Sequence, residues 1–106
     1  MVIYIDIDET ICNTIGDKSK VRDYTKSTPI QKNIEKANSL YEKGHTIIYW
    51  TARGTKSGKC CFKITYDQLL SWGVKFHELR MGKPAYDLMI CDKVINTENW
   101  INKGEL

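Results

Sequence analysis

Apolar and polar positions along the chain follow two periods in turn. Val2-Ile3-Tyr4-Ile5 is a short β-rich run that stops at Asp6, and it predicts a buried strand. From Glu9 to Ser27 the chain is polar, carries Gly16 and shows no sustained apolar face, so it predicts a turn or flap without its own core. Ile30, Ile34, Ala37, Leu40 and Tyr41 then recur at helical spacing. Thr28 is placed as N-cap of that helix, with Pro29 in the first turn and Gln31 completing a capping box; Gly44 is the stop. Thr46-Ile47-Ile48-Tyr49-Trp50 predicts a second buried strand, ending at Thr51.

Residues 52–64 read as a basic loop with Arg53, Lys56, Lys59 and Lys63. Thr65-Tyr66-Asp67-Gln68 reads as a second capping box, opening a helix through Leu69, Leu70 and Trp72 that Gly73 ends. Val74 to Leu79 alternates and predicts a third strand. After a loop with Gly82, Lys83 and Pro84, Asp87-Leu88-Met89-Ile90-Cys91 predicts a fourth, ending at Asp92. Asn96 is placed to cap a last helix reaching about Lys103. This order predicts one α/β domain over residues 1–106, with a mostly parallel sheet of about four strands and right-handed crossovers. With the first strand central, flanked by the second and fourth, a ligand site falls at the carboxyl edge beside it.

Composition adds exclusions. A chain 42% hydrophobic and 27% charged fits a folded globular domain, and its three Trp and six Tyr exclude disorder. A net charge of +3 admits a small anionic ligand but argues against a nucleic-acid surface. Cys12, Cys60, Cys61 and Cys91 form no CxxC pair, and two histidines give little support to a zinc site. Free thiols without a signal segment predict the cytoplasm. The longest apolar runs, about five residues, exclude a membrane helix.

The candidate chemistry lies at the predicted strand ends: Asp6 and Asp8, Thr51, Lys83 and Asp92. Two carboxylates two residues apart after a buried strand are costly unless a cation shares them. Oxygen donors without nearby His or Cys favour Mg²⁺ over zinc. Asp92 offers a further oxygen, Thr51 a hydroxyl and Lys83 a fixed charge, a set suited to the oxygens of a phosphoryl group. One carboxylate can attack phosphorus while another handles protons. Arg53, two residues past Thr51, is able to grip phosphate or a substrate carboxylate. Asp87, His45, His77, Trp50, Trp72 and Trp100 read as structural.

Asp6-Ile7-Asp8-Glu9-Thr10 resembles the DxDxT signature of the haloacid dehalogenase (HAD) superfamily, with Thr51, Lys83 and Asp92 resembling its later motifs in order. TIIYWTARG, WGVKFHEL and GKPAYDLMICDK resemble small HAD hydrolases associated with capsule and surface-polysaccharide biosynthesis. The resemblance implies a HAD-like Rossmannoid three-layer sandwich and a Mg²⁺-dependent phosphatase acting on a small phosphorylated metabolite, a sugar phosphate foremost. It implies Asp6 as nucleophile and metal ligand, and Asp8 as general acid/base, also ligating the metal through its carbonyl. Thr51 and Lys83 would bind phosphate, and Asp92 the metal.

Two residues depart from the family pattern: Glu9 stands where Gly is common, and Cys91 where an Asp is common. Among Asp87, Cys91 and Asp92, strand position and hard-donor chemistry select Asp92 as ligand. Neither the gap from Ile11 to Ser27 nor that from Arg80 to Gly82 has material for a cap domain. Exclusion of water then points to a homo-oligomer, or to the flap and basic loop, as lid. Two other readings stand beside this one: a polynucleotide or nucleotide phosphatase, and a HAD-like binding module with weak catalysis.

Overall fold

The computed structural model describes residues Met1–Leu106. Three parallel strands build the main sheet: β1 (Val2–Ile5), β4 (Thr46–Trp50) and β5 (Glu78–Arg80), in the order β1-β4-β5. A separate antiparallel ribbon joins β2 (Cys12–Asn13) to β3 (Thr28–Pro29). The helices are α1 (Gln31–Glu42), α2 (Phe62–Ser71) and α3 (Thr97–Asn102). Val2 pairs with Thr46 and Ile5 with Tyr49, so β1 and β4 run in step and release Asp6 and Thr51 at the same edge of the sheet. Trp50 pairs with Arg80, which brings the loop carrying Lys83 to that edge as well. The core is a cluster of 13 buried residues that includes Ile5, Ile7, Ile11, Ile34, Ala37, Leu40, Ile47, Tyr49, Leu69 and Trp100. No helix is long and apolar enough to cross a membrane.

The architecture is α/β, and four details differ from the sequence expectations. Thr28 and Pro29 do not start α1. They pair with β2, and Ile30 stands at the N-cap without a side-chain cap bond. Two other bonds anchor this end: the Ile30 N–H donates to the Ile11 carbonyl at 2.9 Å, and Asn33 Nδ2 donates to the Thr10 carbonyl at 2.8 Å. Helix α2 begins at Phe62, ahead of the expected Thr65 cap, and Thr65 is fully buried inside it. The third strand is confined to Glu78–Arg80.

The fourth strand is not formed. Residues 87–91 have no strand pairing, and Leu88 and Ile90 are 78% and 93% exposed. The main sheet has three strands and β1 is its edge rather than its centre. The outer edge of β1, where that strand was expected, stays unpaired, and residues 87–91 do not join the ladder.

Between β2 and β3 the chain forms a polar flap with a single 3₁₀ turn at Tyr24–Lys26. Gly44, at φ +94°, ends α1 in a left-handed conformation that costs a glycine little.

Candidate active site

The chain leaves β1 through a tight turn anchored from below. Ile7 and Ile11 are both fully buried, and the N–H groups of Thr10 and Ile11 converge on the Ile7 carbonyl at 3.1 and 2.9 Å. With Ile7 sunk in the core, Asp6 and Asp8 are left to line a cavity of about 790 Å³. Thr51 and Lys83 line the same cavity, and the flap and basic loop form its far rim. The flap meets the basic loop where Lys56 Nζ donates to the Ser19 carbonyl at 2.5 Å.

Asp6 Oδ1 accepts from the Ile7 N–H at 2.8 Å, while Oδ2 faces Lys83 Nζ at 3.7 Å and takes no hydrogen bond. Burial raises its pKa above the usual carboxylate value; Lys83 and the Ile7 N–H oppose that, and the nearby charges of Asp8 and Glu9 add to it. Lys83 Nζ also lies 5.8 Å from the Trp50 ring centre and 5.5 Å from that of Tyr86, a flanking that holds the ammonium at the cavity wall. The Lys83 N–H donates to the Thr51 carbonyl at 3.1 Å, fixing this loop against the end of β4. Thr51 is buried, and its Oγ1 accepts from the Arg53 N–H at 3.1 Å. The Thr51 O–H is therefore left free to donate.

Asp8 is bound differently. Arg53 grips it with two bonds, Nε to Oδ2 at 3.1 Å and Nη2 to Oδ1 at 2.9 Å. The Thr14 hydroxyl donates to Oδ1 at 2.6 Å, and the Cys12 thiol approaches the same oxygen at 3.5 Å. Burial pushes the Asp8 pKa up, but these donors and the Arg53 charge outweigh it and hold the carboxyl below its ordinary value. Burial, with the Asp8 charge beside it, pushes the Cys12 thiol up to about 12 against the opposing Arg53 charge, so it stays neutral.

Asp6, Asp8, Thr51 and Lys83 therefore meet in one cavity. Arg53 lines the cavity with them, but its side chain is wholly buried and its guanidinium is bonded to Asp8, Thr65, Gln68 and Ser27. Asp92 is exposed and does not line the cavity, because the strand expected to deliver it is not formed; Asp87, expected to be structural, lines it instead. Thr14 and Ser27 carry no sequence signal, and Thr65 and Gln68 read there only as a capping box. Nothing local marks their part in the site, since each owes it to partners brought together by folding. Glu9, the departure from Gly, sits at φ +62° and is held by Arg22, whose Nη1 reaches Oε1 at 2.5 Å and Nη2 reaches Oε2 at 3.2 Å.

No three His, Cys, Asp or Glu side chains come together as a metal cage. Two hard oxygens remain without hydrogen-bond donors, Asp6 Oδ2 and the Asp8 carbonyl. That pair fits Mg²⁺, which binds proteins through one or two such oxygens and completes its shell with water and phosphate. It does not include Asp92.

No family model matches the chain, and no curated protein matches it. A crystal structure of a target protein from Vibrio cholerae is similar over 96% of this chain and 89% of its own, with a TM-score of 0.78 and 21% identity. That likeness shows a shared α/β fold.

Proposed function

We propose that this chain is a Mg²⁺-dependent phosphomonoester hydrolase of the HAD type, acting on a small phosphorylated metabolite such as a sugar phosphate. The observation that carries the reading is Asp6 Oδ2, free of hydrogen bonds, with Lys83 Nζ 3.7 Å away in a cavity shared with Asp8 and Thr51. In this reading Lys83 and the Thr51 hydroxyl bind the non-reacting phosphoryl oxygens. Asp6 Oδ2 attacks phosphorus in line with the departing oxygen and forms an aspartyl-phosphate. Asp8, two residues on and held as the carboxylate by Arg53 and Thr14, takes the proton of the water that hydrolyses the acyl phosphate, and in that protonated form gives it to the departing oxygen. Mg²⁺ held by Asp6 and the Asp8 carbonyl would supply charge neutralisation to the phosphoryl group.

The polar cavity, with Tyr24 and Tyr86 its largest apolar contributors, suits a hydroxylated metabolite better than a lipid. The test is phosphate release from p-nitrophenyl phosphate and a panel of sugar phosphates and 5′- and 3′-phosphorylated oligonucleotides, with Mg²⁺ or with excess chelator. Metal-dependent release that Asp6→Asn abolishes supports the reading; release unaffected by chelator or by that substitution overturns it. Preference for oligonucleotides would replace the metabolite by a nucleic-acid end.

A further inference from the structure

Arg53 is the most heavily connected side chain near the cavity, and the proposed chemistry gives it no role. Its guanidinium is wholly buried. It holds both oxygens of Asp8 and is itself held by Thr65 Oγ1 at 3.2 Å and Gln68 Oε1 at 2.6 Å, both on α2. Nη2 also reaches Ser27 Oγ, at 3.3 Å, where the flap ends. The guanidinium carbon lies 4.7 Å from the Tyr24 ring centre, and Gln68 Nε2 donates to the Tyr24 carbonyl at 2.7 Å. One planar fork therefore ties the Asp8 carboxylate to the interior of α2 and to the base of the flap. A guanidinium suits that task because its donors are fixed in one plane and match a carboxylate in pairs. Arg53 lines the cavity, but every nitrogen of its fork already has a protein partner.

We propose that Arg53 is a positioning residue of the reaction: it fixes the Asp8 carboxylate in place, braced by Gln68 and Thr65, and does not bind the phosphoryl group. The proposal rests on the reading of Asp6 and Asp8 given above. It assigns Gln68 a supporting part, since Gln68 holds both the guanidinium and the flap backbone at Tyr24. A lysine at position 53 keeps the charge but offers no fork, so Asp8 Oδ2 loses its partner and the carboxylate can swing about Oδ1, which Thr14 and Cys12 still hold. Misplacement of a reacting group by about 1 Å costs on the order of 10²-fold in rate.

The experiment is steady-state hydrolysis of p-nitrophenyl phosphate with Mg²⁺ by Arg53→Lys, Gln68→Leu, Asp8→Asn and the two double variants with Asp8→Asn. The folded fraction of each is set by circular dichroism. Arg53→Lys is expected to lower kcat by about 10²-fold with KM within about threefold, and Gln68→Leu to lower it by about tenfold. On the Asp8→Asn background both losses should vanish, because a residue acting only through Asp8 has nothing left to position. Should Arg53→Lys fail to fold, the Gln68→Leu cycle decides alone. A KM raised about tenfold or more at unchanged kcat would make Arg53 a substrate-binding residue and overturn the proposal. So would a kcat loss that persists in full without Asp8. The reading beneath it fails separately, by turnover that survives Asp6→Asn.

Discussion

Glu9 is the clearest place where sequence, strain and charge can be weighed against one another. It is a non-glycine residue at φ +62°, which costs about 1–2 kcal/mol relative to glycine. Its carboxylate binds Arg22 through two bonds, and the Arg22 side chain is only 8% exposed whereas that of Glu9 is 30% exposed. Removing the carboxylate therefore strands a buried cation, at a cost of about 1–3 kcal/mol. Glu9→Ala keeps the strain and loses the pair, so it should lose about 1–3 kcal/mol. Glu9→Gly loses the pair but releases the strain, and should be more stable than Glu9→Ala by about 1–2 kcal/mol. Arg22→Met should cost less than Glu9→Ala, since the Glu9 carboxylate can hydrate. Urea unfolding at neutral pH measures all three; for a chain of this size 1 kcal/mol also moves Tm by about 4–8 °C. Glu9→Gly no more stable than Glu9→Ala would refute the reasoning.

Other outcomes follow from single groups. Burial raises the Asp6 pKa, so in the metal-free protein its carboxyl should titrate above the ordinary carboxylate value, read by NMR, and Mg²⁺ should lower that pKa. Lys83 lowers that pKa, so Lys83→Met should raise the Asp6 pKa further in the metal-free protein; an unmoved carboxyl titration contradicts this. Tyr49 is fully buried with a hydroxyl that has no partner, so Tyr49→Phe should raise stability by roughly 1 kcal/mol, and a loss of that size in a urea titration would show a hidden partner. Leu69 is fully buried in the core, and Leu69→Ala should cost about 2–5 kcal/mol in the same titration.

What could be read from the sequence was what neighbours along the chain decide. The apolar runs at Val2–Ile5 and Thr46–Trp50, and the helical face from Ile34 to Leu40, are local patterns and appear as β1, β4 and α1. The meeting of Asp6, Asp8, Thr51 and Lys83 followed from parallel strands ending at one edge. Residues 87–91 carry the same kind of apolar run, yet form no strand, although β1 leaves an edge open; a local pattern shows that a run can pair, not that it does. Thr28 has the chemistry of a cap, but its backbone pairs with Asn13 instead. Arg53 stands two residues from Thr51, and spacing alone pointed it at substrate. Its inward turn depends on Asp8, Thr65 and Gln68, which lie 45, 12 and 15 residues away.

The central claim is a covalent phosphoryl group on Asp6. Acid-quenched enzyme, mixed with p-nitrophenyl phosphate and Mg²⁺ and then reduced with borohydride, converts an aspartyl-phosphate to homoserine, which peptide mass spectrometry locates. The account predicts homoserine at position 6, formed only with substrate and lost in Asp6→Asn. Homoserine at another aspartate, or steady turnover that leaves Asp6 unmodified under conditions that trap acyl phosphates, would contradict it.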